Sequence, residues 1–402
     1  MDNAIEFMPK ILVGNKLKEA LSVLPHYAVA VRKGTVADRL IELNRLYDVY
    51  CPSPMSEEIY CKLYLALLRS LQKKQTKIAT MQGNINRQGI SKGIIGGSDS
   101  FTILGMSGIG KSSAISRAIS LIAPKPIIYT QEPYARIAPI ITVQTPYDCS
   151  VKGLLLEILR EVDKALDTNY HTNAIKARAT TDALIGSVAN VCLNSIGLLI
   201  IDEFQNICSK NGANLMGTLL NLINSSGISV AMVGTLETKA FFSNASFQLS
   251  RRSLGLEYGT LSLDKNFIDL CRTLTSYLYV KKDFTLTDDI IHWLYQHSNG
   301  VTSVVVSLIK DAQEIAILDG TETLSIASLN KAYNQRLALL HTHIDLKTVI
   351  HPSVKQKPIL LDPLRKINIV NPITDAVTVI KKTGGDLIAL IKKSIEVIEV
   401  RI

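Results

Sequence analysis

The sequence contains few cysteines, and no two of them are spaced as a C-x-x-C pair. The six are scattered over 402 residues, which favours reduced thiols in a cytosolic protein over a disulfide framework or a zinc site. Long apolar runs are also missing, and the first residues, Met-Asp-Asn-Ala-Ile-Glu, lack the basic segment of a secretion signal. We therefore expect a cytoplasmic protein without a membrane span.

Charge is distributed unevenly along the chain. The net charge of +9 comes from the two ends, because residues 1–100 carry +5, residues 101–350 carry zero and residues 351–402 carry +4. Basic ends can bind nucleic acid or acidic partners, and solvated surface explains them equally well. A chain of 402 residues with 47% hydrophobic residues exceeds one ordinary core, so two or three domains are expected.

The order of the predicted elements indicates an α/β fold with a doubly wound parallel sheet. We predict strands at 101–104, 127–130, 140–144, 198–201 and 228–233, and helices at 112–121, 151–166, 181–193 and 215–224. A segment with Pro133 and Pro139 is expected to join the second and third of these strands.

Helical segments are predicted on both sides of this sheet. Residues 56–74 carry a broad apolar stripe at helical spacing, and four helices are predicted between 266 and 341. We divide the chain into a helical N-terminal region (1–95), an α/β core (96–261), a helical lid (262–350) and a basic, proline-containing tail (351–402) that ends in a helix.

The motif Gly-Met-Ser-Gly-Ile-Gly-Lys-Ser at 105–112 is the strongest functional signal. Its glycines allow backbone N–H groups to converge on phosphate oxygens, Lys111 adds a positive charge over the β- and γ-phosphates, and the following helix presents its positive end. The hydroxyl of Ser112 is a Mg²⁺ ligand in this motif. We expect ATP to contact Gly105, Ser107, Gly108, Ile109, Gly110, Lys111, Ser112 and Ser113.

Two adjacent carboxylates follow the apolar strand at 198–201. Asp202 would lie beside the P-loop and hold Mg²⁺ through water, as a second metal residue with Ser112. Glu203 can orient and deprotonate the attacking water, which makes it the candidate general base. Kinases and many GTPases lack this second acid, so the pair favours hydrolysis.

Further candidates for catalysis follow the next strand. The hydroxyl of Thr235 can touch the γ-phosphate and align water, although a threonine at a strand end can also be satisfied locally. Arg251 and Arg252 can stabilise the transferring phosphate of a neighbouring subunit. A solvated arginine pair is the alternative.

Cations near the ends of predicted helices are candidates for contacts with a nucleic acid backbone. These are Lys152 at the start of one predicted helix and Lys176 and Arg178 before the next, although single charged residues at helix ends usually face solvent. The His-x-His at 341–343 has no evident third ligand, and we interpret it as surface.

The chain resembles the TnsC/TniB family, the AAA+ regulators of heteromeric, Tn7-like bacterial transposons. The resemblance covers about 100–315, and the combination of its segments is more specific than any one motif and favours the arginine role of Arg251 and Arg252. These segments are GMSGIGKSS, IIYTQEPY, ITVQTPYDCSVKGLLLEIL, GLLIIDEFQNI, VGTLETKAFF and LSRRSLG.

The resemblance implies a Mg²⁺-dependent regulatory ATPase that forms a ring or helical filament on double-stranded DNA. Such proteins link a target-selection protein (TniQ/TnsD-like) to transposase subunits. It implies that Lys152 faces DNA and that the N-terminal region and the tail contact partners. Many AAA+ lids carry a nucleotide-sensing arginine shortly after a glycine, and none follows Gly300 closely here.

Other functions stay open at this point. One is a different AAA+ or STAND-type ATPase, such as an initiator-like loader or a signalling switch, although 351–402 shows no winged-helix pattern. Another is an adaptor that binds nucleotide without turnover. A small-molecule kinase is disfavoured, because no arginine-rich acceptor lid is evident.

Overall fold

A computed structural model describes most of the first 338 residues of the chain. Residues Met1–Leu346 belong to one compact unit and Lys347–Ile402 to a second. None of the helices described is long and apolar enough to cross a membrane. The described residues are 5–86, 100–131, 134–146, 150–208, 217–218, 222, 226, 228–239 and 253–338.

The first unit contains a six-stranded sheet with the strand order β2-β3-β4-β5-β1-β6. All neighbouring strands pair in parallel except β2, which is antiparallel to β3. The almost wholly buried strands β1, β4 and β5 are mostly apolar, as expected for parallel strands covered on both faces. The strands are β1 (Ser100–Gly105), β2 (Ile128–Gln131), β3 (Tyr134–Gln144), β4 (Ile196–Asp202), β5 (Ser229–Gly234) and β6 (Ser253–Tyr258).

Helices precede, cover and follow the sheet. Short 3₁₀ helices flank α2 at Val29–Lys33 and Asn44–Asp48. The α-helices described are α1 (Gly14–Leu21), α2 (Val36–Leu43), α3 (Pro54–Asn86), α4 (Lys111–Ile122), α5 (Val151–Leu166), α6 (Tyr170–Lys176), α7 (Thr181–Ser195), α8 (Gln205–Cys208), α9 (Lys265–Ser276), α10 (Asp288–Ser298), α11 (Thr302–Leu318) and α12 (Ile326–Arg336).

The N-terminal helices contribute to two different cores. Helices α1 and α3 share a buried cluster with α4 and with strands β1, β4 and β5. The segment that includes α2 instead packs on the helical lid, where Leu43 and Leu46 lie in one cluster with α9, α10, α11 and α12. The predicted boundary at residue 95 thus lies after helices that are already part of both cores, and the four-domain division stays a prediction.

A buried ion pair joins α2 to the lid. Arg39 is fully buried, and its guanidinium donates to both carboxylate oxygens of Glu322 at 2.6 and 2.7 Å and to the carbonyl of Tyr279 at 3.0 Å. A few residues earlier, Arg32 donates to the carbonyl of Val280 at 2.8 Å and pairs with the exposed Asp283. Two arginines therefore hold the N-terminal segment against the lid.

The sheet differs from the predicted one at both edges. Strands β2 and β3 form an antiparallel hairpin, whereas a purely parallel sheet was expected, and Pro139 lies inside β3 instead of in a connection. Opposite it on β4, Gly197 carries no side chain, and a Cβ there would collide with the Pro139 carbonyl oxygen. Strand β6 was not predicted.

Several predicted elements lie outside the described residues. Residues 87–99 are among them. They belong to the stretch 82–100, whose glycine, asparagine and serine residues predict a connector, but α3 extends to Asn86. Most of the predicted helix at 215–224, the His-x-His at 341–343 and the whole tail belong to this group. Within the described ranges, Cys51, Cys61, Cys192 and Cys271 are free thiols.

We expect Glu322→Gln to lower the free energy of unfolding at pH 7 by about 3 kcal/mol, because it leaves a buried guanidinium without its counter-charge. The hydrogen bond from Arg39 lowers the pKa of Glu322. The ion pair therefore stabilises the fold above the unfolded-state pKa of about 4.3, and this contribution disappears as the pH falls through the lower folded-state value. Chemical denaturation at decreasing pH measures both effects.

Asp283→Asn is the matched control, since it removes a carboxylate from the same junction. The Asp283 side chain is 94% exposed. An exposed pair of this kind contributes less than about 1 kcal/mol. Equal losses in the two variants would contradict the assigned role of the buried pair.

Candidate nucleotide-binding site

The P-loop connects β1 to α4 through backbone conformations that favour glycine. Gly108 and Gly110 have φ angles of 81° and 92°, in the left-handed region, and α4 begins directly afterwards at Lys111. At Gly105, an added Cβ would lie 2.7 Å from the side chain of Ile109 and 2.9 Å from the carbonyl oxygen of Tyr258. The loop is therefore closely packed, and it leads directly into the start of α4.

Lys111 is folded back onto the loop itself. Its ammonium group donates to the carbonyl oxygens of Gly105 and Met106, both at 2.8 Å. Burial lowers the pKa of Lys111, while the nearby carboxylates of Asp202 and Glu203 act in the opposite direction. A partly desolvated cation that donates to two carbonyl oxygens is well placed to exchange them for a phosphate oxygen.

Asp202 and Glu203 lie where β4 ends beside the P-loop. Burial raises the pKa of Asp202, which also accepts a hydrogen bond from the backbone N–H of Glu203 at 2.8 Å. Glu203 is exposed and has a φ of 55°, an uncommon conformation for a residue with a side chain. The buried Phe204 fixes this turn, because its N–H donates to the carbonyl of Val233 at 2.8 Å.

Thr235 directly follows β5, and its hydroxyl has no hydrogen-bond partner among the described residues. Its N–H donates to the side-chain oxygen of Gln205 at 3.3 Å, and its carbonyl accepts from the hydroxyl of Thr238. The Thr235 Oγ1 is buried and makes no hydrogen bond to any residue that the structure describes. Since buried hydroxyls are normally satisfied, this atom is available to a ligand that enters the site.

These residues line a cavity of about 480 Å³, a size typical of small-molecule sites. One end is polar, with the P-loop, Asp202, Glu203 and Thr235. The N-terminal segment and the lid close the other end with a more apolar surface, formed by Tyr47, Val49, Tyr50, Cys51, Pro52, Met55, Leu261 and Leu270. The cavity therefore suits a ligand with an anionic end and a flat apolar end, such as ATP.

The lid contacts the P-loop through its backbone. The N–H of Ser303, at the start of α11, donates to the carbonyl of Gly108 at 3.0 Å, and a Cβ on Gly108 would collide with the Ser303 hydroxyl. Thr302, Ser303 and Ser307 line the cavity on this side, and none of the described residues that line it is an arginine. The lid thus meets the phosphate end of the site with hydroxyls and a helix N-terminus.

The donor set at the phosphate end fits Mg²⁺ bound together with phosphates. Ser112 and Asp202 both line the cavity, and within the described ranges no three His, Cys, Asp or Glu residues are clustered as in a protein-only metal site. Mg²⁺ is usually held by one or two protein oxygens together with phosphate oxygens and waters.

The other predicted site residues are more dispersed. Lys152 lies exposed in the first turn of α5, Lys176 ends α6, and Arg178 lies in the following connection. All three are exposed, and none lines the cavity. Arg251 and Arg252 lie outside the described residues, directly before β6.

Sequence analysis missed the N-terminal wall of the cavity and the role of Gln205. Nothing local in 47–55 indicates that this segment would return to the P-loop. The Asp-Glu-Phe-Gln-Asn segment was part of the family resemblance, yet a glutamine two residues after the candidate general base carries no recognised chemistry by itself.

Comparison with known proteins adds a family to this geometry. Residues 96–254 match the protein-family model described as TniB, bacterial TniB protein. This part of the chain is similar to the TniB family. The match ends within β6, so it covers neither the N-terminal helices nor the lid. A comparison with curated protein sequences finds no match.

Solved structures with a similar chain course include two origin-recognition proteins of Aeropyrum pernix. ORC1 in complex with DNA is 12% identical over 87% of this chain and 80% of its own, with a TM-score of 0.47. ORC2 in an ADP form is 15% identical over 79% and 72%, with a TM-score of 0.42. A Thermotoga maritima RuvB mutant is 14% identical over 69% and 68%, with a TM-score of 0.36. These scores are low, and the AAA+ assignment stands on the P-loop, the parallel sheet and the family match.

We expect Thr235→Val to leave the stability of the nucleotide-free protein unchanged or to raise it by up to about 1 kcal/mol, because it removes an unsatisfied buried hydroxyl. The same change should reduce the stabilisation that a non-hydrolysable ATP analogue provides, since the hydroxyl is then missing from the phosphate end of the site. Thermal unfolding with and without the analogue measures both effects.

Thr145→Val is the matched control at the end of β3, which is separated from β5 by β4. The Thr145 hydroxyl donates to the carbonyl of Asp202 at 2.8 Å, so its loss should lower stability by about 1 kcal/mol without nucleotide. A similar destabilisation by Thr235→Val would show that its hydroxyl has a structural partner.

Proposed function

We propose that the chain is a Mg²⁺-dependent ATPase whose bound nucleotide controls its assembly on double-stranded DNA. The observation that carries the proposal is the meeting of four groups in one cavity: the P-loop, Asp202, Glu203 and the unpartnered hydroxyl of Thr235. Each group is of the type required for triphosphate binding or for activation of water.

The roles follow from the positions of these groups. Backbone N–H groups of the P-loop and Lys111 would bind the β- and γ-phosphates, while Ser112 and Asp202 would hold Mg²⁺, which neutralises phosphate charge. Glu203 accepts a proton from water, the water oxygen bonds to the γ-phosphorus, and the bond to the β–γ bridging oxygen breaks. The Thr235 hydroxyl orients the γ-phosphate.

The start of β6 supports a role for Arg251 and Arg252 in a neighbouring subunit. Strand β6 pairs in parallel with β1, with Ser253 opposite Ser100 and Tyr258 opposite Gly105. Ser253 is five strand residues from Tyr258, so the start of β6 lies about 17 Å from the P-loop of the same chain. Arg251 and Arg252 come directly before this start in the sequence. We infer that they complete the site of an adjacent protomer and that ATP holds the two subunits together.

The proposed roles in DNA binding and transposition rest on the similarity to the TniB family. The TniB match and the basic charge of both chain ends support assembly on DNA as a ring or filament. We propose that exposed Lys152, Lys176 and Arg178 contact the phosphate backbone. Transposase subunits and a TniQ/TnsD-like target selector are proposed as partners of the N-terminal region (1–95) and the tail (351–402), which flank the ATPase core (96–261) and the lid (262–350).

An adaptor that binds nucleotide without turnover is the main alternative. Such an adaptor also requires the P-loop and the cavity, but nucleotide binding without hydrolysis does not require the carboxylate of Glu203. Release of phosphate from ATP, measured with and without duplex DNA, separates the two functions, since only the ATPase releases it.

We expect Glu203→Gln to give persistent assemblies on duplex DNA with ATP, because nucleotide still binds while hydrolysis slows about 100-fold or more. Lys111→Ala should abolish nucleotide-dependent assembly. Negative-stain imaging with ATP, a non-hydrolysable analogue or ADP measures both effects.

Lys125→Ala is the matched control for loss of a lysine, because Lys125 is exposed beyond the far end of α4, about 20 Å from Lys111. It should assemble like the wild type. Normal disassembly of Glu203→Gln, or assembly of Lys111→Ala, would count against the proposed switch.

Lys152→Ala should weaken DNA binding and reduce the slope of log affinity against log salt concentration by about 0.9, the value for one phosphate contact. Titration of a fluorescent duplex at several salt concentrations gives this slope. Lys331→Ala removes a lysine of the lid that pairs with Asp319 at 2.8 Å, and it should leave the slope unchanged. An unchanged slope for Lys152→Ala would remove this residue from the interface.

A further inference from the structure

Gln205 connects the candidate general base to the end of the neighbouring strand. Its side-chain oxygen accepts the N–H of Thr235 at 3.3 Å, and its side-chain nitrogen donates to the carboxylate of Glu203. The residue also lines the cavity. None of the roles assigned above uses it.

Hydrogen-bond chemistry fixes the orientation of this amide. The backbone N–H of Thr235 can only donate, and an ionised Glu203 carboxylate can only accept. A flipped amide would place two donors together at one end and two acceptors at the other. A primary amide at the end of a glutamine-length side chain is therefore suited to bridge both groups.

The surrounding backbone holds Gln205 in place on both sides. Phe204 is fully buried with its N–H on the carbonyl of Val233, and the N–H of Asn206 donates to the carbonyl of Glu203 at 3.0 Å. At Gly234 an added Cβ would lie 3.2 Å from the Gln205 side-chain oxygen, so the missing side chain leaves room for the amide. The ends of β4 and β5 thus form one connected unit.

We propose that Gln205 is a positioning residue that holds the Glu203 carboxylate toward the attacking water and couples it to the strand end that carries Thr235. The inference rests on the proposed ATPase function. One carboxylate oxygen is bound by the amide, which leaves the other to accept the proton. The same amide is held by the backbone of Thr235, so contact of the Thr235 hydroxyl with the γ-phosphate is transmitted to the general base.

The test compares Gln205→Met, which keeps the length of the side chain without its hydrogen bonds, with Gln205→Glu, which keeps an acceptor for Thr235 but loses the donor to Glu203. We expect kcat for phosphate release to fall about tenfold or more in both variants, with KM for ATP within about twofold of wild type. Gln296→Met, at an exposed position of α10, is the control and should behave like the wild type.

A double variant distinguishes positioning from a structural role. In a Glu203→Gln background, Gln205→Met should cause no further loss of kcat, because the group through which it acts is already gone. Additive losses, a matched rise in KM, or wild-type kcat in Gln205→Met or Gln205→Glu would overturn the inference. Absence of phosphate release from the wild type, with and without duplex DNA, would overturn the ATPase proposal and this inference with it.

Discussion

The parallel hydrogen-bonded alignment of β1, β4 and β5 is the constraint on which the site depends. Leu104 pairs with Gly234, and Ile201 pairs with Met232, so the three strands end at one edge of the sheet. The P-loop, the two carboxylates and Thr235 each follow one of these ends. A slip of one residue in any pair would move side chains from one buried cluster to the other, and the two faces of the sheet pack in different clusters.

The sequence allowed prediction of those parts of the site that consist of short, contiguous motifs. The P-loop glycines, Lys111 and the Asp202-Glu203 pair are recognisable because their chemistry requires particular residue types at fixed spacing. Buried parallel strands were equally predictable, since a short run of consecutive apolar residues such as 198–201 is typical of them. The long amphipathic helix α5 was predicted with the bounds that the structure shows.

The remaining features depend on contacts between distant parts of the chain. Strand β6 is short and contains Gly255 and Glu257, so its place beside β1 depends on pairing that no local pattern encodes. Strand β3 contains Pro139, which favoured a loop in the prediction. The N-terminal wall of the cavity is positioned through the ion pair of Arg39 with Glu322, residues separated by 283 positions in the chain.

All later steps of the proposed function require one event, the uptake of ATP at the P-loop. Isothermal titration calorimetry of the purified protein with ATP, in Mg²⁺ and again in excess EDTA, tests it most directly. The account predicts saturable binding of one nucleotide per chain that is strongest when Mg²⁺ is present. No detectable binding of ATP in Mg²⁺ would contradict the assignment of the cavity and every role derived from it.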